Sequence, residues 1–232
     1  MYRVVSLGIA VLMLAGCSGG SVPVPETSAT SAAAAPDSLP VMGAERRILA
    51  VGDSLFAGYG LASQAESYPA RLEGALRARG INARITNAGV SGDTSGAGAQ
   101  RFGFVLKSQP VKPDLVIIEF GGNDVLRGLP PEQTRANMGK MLGEAKAAGV
   151  PVLMMGMLAP PNLGPEFRAG FEPIYPELAK QYGAKLVPFF LAAVLGKADL
   201  IQPDHIHPTA GGVDEIVAAT ADSVAAALPP IG

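Results

Sequence analysis

The chain has 232 residues, and its 18 Lys and Arg nearly balance its 20 Asp and Glu, giving a formal net charge of -2. Because basic residues are neither in excess nor clustered, the composition argues against a nucleic-acid partner. Hydrophobic residues make up 48% of the chain, which supports one α/β domain, and the single cysteine, Cys17, excludes an intramolecular disulfide.

The N-terminal segment has the pattern of a lipoprotein export signal. Arg3 precedes an apolar stretch over residues 4–15, which is too short to span a bilayer as a helix and matches a signal-peptide core. The stretch runs into Leu14-Ala15-Gly16-Cys17, which resembles the lipobox of bacterial lipoproteins. That resemblance implies cleavage before Cys17 and acylation of its thiol. The alternative is a plain secretory signal with an incidental cysteine.

These features divide the chain into three parts. Residues 1–16 form the predicted lipoprotein signal peptide, and residues 17–44, rich in Ala, Ser and Pro, form a predicted flexible linker. Residues 45–232 form the predicted folded domain. The predicted location is the cell envelope, with the domain anchored to the membrane by lipid on Cys17 and facing the periplasm. Ser18, rather than an aspartate, would favour the outer membrane in a two-membrane bacterium.

From residue 45 onward, apolar runs alternate with segments that have helix start and stop signals. Strict alternation of strands and helices predicts an α/β fold, in which a parallel sheet has helices on both faces. We expect five strands in the flavodoxin-like order 2-1-3-4-5. In chain order we predict a strand at 48–51, a helix at 67–80, a strand at 83–86, a helix at 94–108, a strand at 115–120, a helix at 132–148, a strand at 152–157, a helix at 166–182, a strand at 185–187 and a helix at 209–227.

Four polar segments lie where such a sheet would bind a ligand. Ser54, in Gly-Asp-Ser-Leu, directly follows the first strand, and open α/β sheets bind ligands at the carboxyl ends of their strands. Residues 87–94 follow the second strand, and residues 121–124, Gly-Gly-Asn-Asp, follow the third. Residues 204–208, Asp-His-Ile-His-Pro, precede the last helix. We expect all four segments to converge on one rim of the sheet.

In this order the four segments resemble the SGNH branch of the GDSL hydrolases. That family has a Gly-Asp-Ser-Leu serine, a glycine, a Gly-x-Asn-Asp asparagine and an Asp-x-x-His pair. The resemblance covers residues 46–227, and segments such as 91–95 and 174–180 resemble the bacterial multifunctional thioesterase, lysophospholipase and arylesterase subgroup. It implies a three-layer SGNH hydrolase fold. It also implies a cofactor-free serine hydrolase that cleaves acyl esters or thioesters through an acyl-enzyme.

The resemblance implies a role for each segment, and ester hydrolysis requires the same roles. Ser54 would be the nucleophile, His207 the base that takes its proton, and Asp204 the acid that orients the imidazole. The negative charge that develops on the carbonyl oxygen needs hydrogen-bond donors already aimed at it. The backbone N–H groups of Ser54 and Gly92 and the side-chain amide of Asn123 would form this oxyanion hole.

The loop after the asparagine segment lines the acyl site in the resembling subgroup. This implies an apolar substrate contact from Leu126 and Leu129, although ordinary packing at a helix entry explains these two residues equally well. His205 and His207 are the only histidines, and the single cysteine is assigned to the lipobox. Because a three-ligand zinc site is hard to assemble from this set, we expect no metal and expect His205 to face solvent or brace its loop.

Two other functions remain open at this point. The same chemistry could act on acetyl groups of cell-wall or exopolysaccharide sugars. Alternatively, a non-catalytic envelope lipoprotein could use a flavodoxin-like domain for binding. The presence of serine, base, acid and oxyanion candidates argues against the second alternative. The absence of a G-x-G-x-x-G phosphate loop after the first strand also argues against it.

Overall fold

Five parallel strands form a single sheet in the order β2-β1-β3-β4-β5, as the sequence predicted. The computed structural model describes residues 43–230. The predicted signal peptide, Cys17 and all but the last two residues of the predicted linker lie outside this range. The strands are β1 (Arg46–Gly52), β2 (Ala83–Gly89), β3 (Leu115–Glu119), β4 (Val152–Met155) and β5 (Lys185–Val187).

Helices connect the strands and pack against one another on the sheet. Helix α2 packs against α8, α3 packs against α5, and α5 packs against α7. Over residues 43–230, no helix is long and apolar enough to cross a membrane. The helices are α1 (Ser54–Ala57), α2 (Tyr68–Ala78), α3 (Ser95–Lys107), α4 (Gly122–Leu126), α5 (Pro131–Ala147), α6 (Gly164–Phe171), α7 (Ile174–Tyr182) and α8 (Ala210–Ala227).

The central strands form the core of the domain. Every residue of β3 and of β4 is buried. Because successive side chains of a strand point to opposite faces of the sheet, this burial means that helices cover both faces. Burial on both faces of the sheet explains why these strands are continuous apolar runs in the sequence. Glu119, the last residue of β3, differs from the other residues of these two strands because it buries a carboxyl group rather than an apolar side chain.

Two helix starts follow from their capping residues. The hydroxyl of Thr94 accepts a hydrogen bond from the Ala97 amide at 3.3 Å, so α3 begins directly after Thr94. The hydroxyl of Thr209 accepts one from the Gly212 amide at 3.2 Å, so α8 begins directly after Thr209. Each cap fixes the end of a loop that belongs to the polar rim.

The structure corrects several boundaries. Strand β1 begins two residues earlier and ends one residue later than predicted. Strand β2 extends to Gly89, so residues 87–89 belong to the strand and not to the segment that follows it. The predicted helix over 166–182 is two helices, because Pro173 has no N–H group with which to continue α6. The third and fourth strands end at Glu119 and Met155, earlier than predicted. The short helices α1 and α4 were not predicted, because helices of four and five residues are shorter than the helical periodicity needed to detect them.

Candidate active site

The four polar segments predicted to converge meet at the carboxyl ends of β1, β2 and β3. Ser54 begins α1 immediately after β1, and its side chain is within hydrogen-bond distance of His207 from the loop before α8. Asn123 is the second residue of α4, directly after β3, and its amide reaches Asp53 beside the serine. The rim of the sheet therefore brings together residues up to 153 positions apart in the chain.

Three side chains form a hydrogen-bonded series that ends on the serine hydroxyl. The His207 Nε2 atom lies 2.8 Å from Ser54 Oγ, and its Nδ1 atom lies 2.6 Å from Asp204 Oδ2. Ser54 is 8% exposed, so the residue is largely buried and has little contact with solvent. The imidazole is thus placed to take a proton from Ser54 while Asp204 holds its other nitrogen.

Asp204 also organises the turn that carries the histidine. Its Oδ1 atom accepts hydrogen bonds from the amides of Ile206 and His207, each at 3.0 Å. Desolvation alone would raise the pKa of Asp204, but the hydrogen bond from the His207 ring and those from the two amides lower it to about 2. Asp204 therefore remains a carboxylate at neutral pH, as needed to stabilise an imidazolium beside it.

The turn between Asp204 and His207 contains a left-handed residue. His205 has a φ of 61° and is the only described residue other than glycine with a positive φ. This conformation is uncommon for a residue with a side chain, although histidine adopts it more often than most. The side chain of His205 is exposed and lies beside the groove described below.

Gln202 and Tyr59, which were not predicted as site residues, hold this loop against the segment that carries Ser54. The Gln202 side-chain amide donates to the carbonyl oxygens of Tyr59, at 2.8 Å, and Pro208, at 2.9 Å. The Tyr59 ring lies against the His207 ring, with centroids 4.5 Å apart. No local motif marks either residue, because their roles depend on contacts between segments about 140 residues apart.

Of the three predicted oxyanion donors, the Asn123 amide reaches Asp53 beside the serine, and Gly92 lies in the loop that follows β2 at the same rim of the sheet. Among the described residues, neither the Ser54 amide nor the Gly92 amide has a hydrogen-bond acceptor, so both are free for a substrate. Gly92 has a φ of 86°, a conformation that favours glycine. The Asn123 side-chain nitrogen donates one hydrogen bond to Asp53 at 3.0 Å and retains a second N–H. Arg127 donates to the Gly92 carbonyl at 2.7 Å and so ties the glycine loop to the end of α4.

Two buried carboxyl groups lie directly behind the nucleophile. Asp53 is 2% exposed and caps α1 by accepting from the Leu55 amide at 3.0 Å. Glu119 is fully buried beside it, and its Oε2 atom accepts from the Asp53 amide at 3.3 Å. Burial raises the pKa of Asp53, and burial together with the charge of Asp53 raises that of Glu119 well above its usual value. Glu119 was missed, although an acidic residue ending an apolar strand was a visible signal.

Asp124, next to Asn123, serves the structure of the rim. Its carboxylate accepts hydrogen bonds from the Ser95 amide at 2.8 Å, from the Ser95 hydroxyl and from the Thr134 hydroxyl at 2.9 Å. It thereby joins the starts of α3 and α5 to α4. This network holds α4, which carries Asn123, in a fixed position at the end of β3.

An apolar groove opens beside Ser54, with a volume of about 550 Å³. Leu126 lines it and is 60% exposed, so the groove keeps much apolar surface in contact with solvent. Leu129 does not line it, because the chain turns back after α4 and the Leu129 amide donates to the Asp124 carbonyl at 2.9 Å. The remaining wall is mainly apolar and includes Met157, Leu158, Phe189, Leu195 and Ile206.

The sequence pattern of the GDSL-like lipase/acylhydrolase family matches residues 50–214, a range that contains all four rim segments. The chain belongs to this family. It is therefore a hydrolase of acyl bonds.

Relatives within the GDSL-like family carry the names of esterases. The esterase TesA of Pseudomonas aeruginosa is 42% identical over 165 residues, which cover 71% of this chain and 81% of TesA. The thioesterase 1/protease 1/lysophospholipase L1 of Escherichia coli K12 is 39% identical over 161 residues, which cover 69% of this chain and 74% of that protein. The similarity thus spans most of each protein rather than the motifs alone.

Solved structures of the GDSL-like family have the same fold. AlinE4, an SGNH-hydrolase family esterase, is 62% identical, with a TM-score of 0.69, and the match covers 82% of this chain and all of AlinE4. The psychrotrophic esterase EstA of Pseudoalteromonas sp., in a structure inhibited by monoethylphosphonate, is 32% identical, with a TM-score of 0.73. That match covers 78% of this chain and 97% of EstA. These similarities identify the fold as that of the SGNH hydrolases.

Proposed function

We propose that the protein is a serine esterase that hydrolyses fatty-acyl or aryl esters and acyl thioesters through an acyl-enzyme on Ser54. The observation that carries this proposal is the continuous series Asp204–His207–Ser54, with distances of 2.6 and 2.8 Å. A serine hydroxyl is a weak nucleophile at neutral pH, and a hydrogen-bonded imidazole is the group that activates it.

In the first half of the reaction, Ser54 Oγ attacks the acyl carbonyl carbon while His207 Nε2 takes the hydroxyl proton. Asp204 keeps the His207 Nδ1–H in place and stabilises the imidazolium. The carbonyl oxygen becomes an oxyanion, which accepts hydrogen bonds from the Ser54 and Gly92 amides and the free N–H of Asn123. When this intermediate collapses, the ester or thioester bond breaks and His207 donates its proton to the alcohol or thiol that leaves.

In the second half, water hydrolyses the acyl-enzyme. His207 takes a proton from the water as the water oxygen attacks the acyl carbon, and the same donors hold the second oxyanion. Collapse releases the carboxylic acid and returns the proton from His207 to Ser54 Oγ. The enzyme regains its starting protonation, so the cycle needs no cofactor.

The groove supports acyl groups longer than acetyl. Its apolar lining, including Leu126 and Ile206, offers hydrophobic contact for an alkyl chain, at roughly 0.8 kcal/mol for each buried methylene. The names of relatives add lysophospholipids and thioesters as substrate classes, and an arylesterase of Vibrio mimicus that is 40% identical over 165 residues adds aryl esters. We expect p-nitrophenyl octanoate to have a higher kcat/KM than p-nitrophenyl acetate, whereas the reverse order would favour a carbohydrate O-acetylesterase.

The nucleophile is tested by labelling with a fluorophosphonate, which reacts with activated serines. The wild-type protein and Ser108→Ala, a control at an exposed serine, should be labelled and active, whereas Ser54→Ala should be neither. Labelling that persists in Ser54→Ala would contradict the assignment. Wild-type protein that neither reacts nor turns over any ester would instead support a non-catalytic binding protein.

We also propose that lipid on Cys17 anchors the protein to the cell envelope, with the domain in the periplasm. The support is the sequence Leu14-Ala15-Gly16-Cys17 after a short apolar stretch. In a two-membrane bacterium, Ser18 favours the outer membrane. The test is metabolic labelling of the full chain with a fatty acid. Label should enter the wild type and be lost in Cys17→Ser, and equal labelling of both would contradict the proposal.

A further inference from the structure

The carboxyl pair behind the nucleophile, Asp53 and Glu119, has no role in the steps above. Neither carboxyl takes part in an ion pair within residues 43–230. A buried carboxylate without a cation is costly, so such a group is retained only where its surroundings satisfy it or where it holds a proton. The hydrogen bonds of the two groups distinguish these cases.

Asp53 is well supplied with donors. Its Oδ1 atom accepts from the Leu55 amide at 3.0 Å, and its Oδ2 atom accepts from the Asn123 side chain at 3.0 Å. The imidazole of His207 adds a favourable charge interaction when protonated. Asp53 therefore holds both the start of α1, where Ser54 lies, and the amide of Asn123. A carboxylate does this better than a neutral acid, because hydrogen bonds to an ionised acceptor are stronger.

Glu119 has the opposite environment. Its Oε1 atom is buried without any hydrogen-bond partner, and its Oε2 atom receives only the Asp53 amide, at 3.3 Å. Tyr175 and Asp124, which also act on this region, are neutral or acidic and cannot offset a negative charge on Glu119. The nearby cation Arg101 donates instead to Asp93 and to the carbonyl oxygens of Ala88 and Gly52, and forms no ion pair with Glu119. An ionised Glu119 would thus be poorly solvated, whereas a protonated Glu119 can donate its hydroxyl to the adjacent Asp53 carboxyl.

The backbone next to Ser54 leaves room for the Glu119 side chain. A Cβ atom at Gly52 would lie 2.9 Å from Glu119 Oε2 and 2.8 Å from the Phe56 ring. The glycine of Gly-Asp-Ser-Leu therefore has a packing reason: it admits a carboxyl group behind the nucleophile. Burial and the charge of Asp53 both raise the pKa of Glu119, in agreement with a bound proton.

We propose that protonated Glu119 is a positioning residue, which donates to Asp53, keeps Asp53 a carboxylate and thereby fixes the Asn123 amide toward the oxyanion. The proposal rests on the proposed esterase function, because it acts through Asn123 as an oxyanion donor. Glu119 itself touches neither substrate nor reacting atoms. Its effect is on kcat, since the oxyanion forms only as the reaction proceeds.

The test compares two substitutions that differ in one property. Gln at 119 keeps the volume and the donor to Asp53 and cannot ionise, whereas Leu keeps much of the volume and loses the donor. With p-nitrophenyl octanoate as substrate, we expect Glu119→Gln to retain the wild-type kcat within about threefold. We expect Glu119→Leu to lose about 10- to 100-fold in kcat with little change in KM, because a misplaced oxyanion donor has an effect of this size. Circular dichroism and Tm check folding, and Glu119→Met replaces the Leu variant if that variant does not fold.

A double-mutant cycle with Asn123→Ala separates this proposal from general damage. If Glu119 acts through Asn123, Glu119→Leu should cost less than about threefold once Asn123 is Ala. Equal loss in both backgrounds, equal loss in the Gln and Leu variants, or full activity of the Leu variant would each overturn the proposal. Fluorophosphonate labelling of Ser54 in every variant keeps these outcomes distinct, because failure of the esterase function would abolish labelling in the wild type as well.

Discussion

The ring of Tyr59 packs on the imidazole of His207, with the ring centroids 4.5 Å apart and the planes inclined by 39°. Tyr59 lies just after α1 and is 53% exposed, so this contact forms part of the wall of the active site rather than of the core. The aromatic face restricts the imidazole from the side not occupied by Asp204 and Ser54. It also offers its electron-rich surface to the imidazolium that forms during catalysis.

Removing the Tyr59 ring should therefore slow the reaction. We expect Tyr59→Ala to lower kcat about 2- to 5-fold, the range for a cation–π contact at an exposed site. Tyr59→Phe is the matched control and should keep the wild-type rate, because it retains the ring. Steady-state kinetics with p-nitrophenyl octanoate measure both, and a slow Phe variant would show that the hydroxyl, not the ring, matters.

Gln202 should matter for both stability and catalysis. Its amide bridges the carbonyls of Tyr59 and Pro208, so Gln202→Ala leaves two acceptors unpaired and frees the histidine loop. We expect a loss of about 1–3 kcal/mol in the free energy of unfolding, from two hydrogen bonds, together with a lower kcat. Urea denaturation measures the first and kinetics the second. Gln133→Ala, at an exposed site on α5, is the control and should change neither.

Leu126 and Leu129 provide a matched pair for the acyl groove, because only Leu126 lines it. Leu126→Ala should lower kcat/KM for p-nitrophenyl octanoate relative to p-nitrophenyl acetate by about 2- to 10-fold, since part of a leucine side chain is worth roughly 1 kcal/mol of hydrophobic contact. Leu129→Ala should leave the ratio unchanged. A change in the ratio for Leu129→Ala alone would place the acyl chain on the other side of the loop.

The buried carboxyl of Glu119 predicts a dependence of stability on pH. Its pKa is higher in the folded protein than in the unfolded chain, so the folded state binds more protons and the Glu119 contribution to stability falls as pH rises from about 4. Glu119→Gln lacks this loss. Its stability relative to wild type should therefore increase between about pH 4 and pH 8, measured by urea denaturation, with exposed Glu166→Gln as the control.

If the stability of Glu119→Gln relative to wild type decreased between about pH 4 and pH 8, the result would contradict a protonated Glu119. Asp204 makes the opposite contribution, because its folded pKa of about 2 lies below the unfolded value. Its stabilisation is complete at neutral pH and is lost only as pH falls from about 4 toward 2. The two carboxyls therefore act in separate pH ranges.

The parallel sheet and the polar rim were predictable because both follow from short-range patterns, and the strand order was the one expected for a flavodoxin-like fold. Buried parallel strands require continuous apolar runs, and the polar segments after them mark the carboxyl ends of the strands. The contacts of Tyr59 and Gln202 were not predictable, since they join segments far apart in the chain. The difference between Leu126 and Leu129 also depends on tertiary geometry, because it is set by how the chain turns at Gly128, which has a φ of 59°.

Strand β1 has a consequence for how the enzyme can be attached to a surface. Ser54 follows its carboxyl end, whereas Arg46 begins it at the far pole of the sheet, roughly 20 Å away for a strand of this length. A linkage on the N-terminal side of β1 is therefore attached at the end of the sheet opposite the groove. Whether the protein is held by a lipid in a cell or by a tag on a bead, the catalytic rim can face outward into solution.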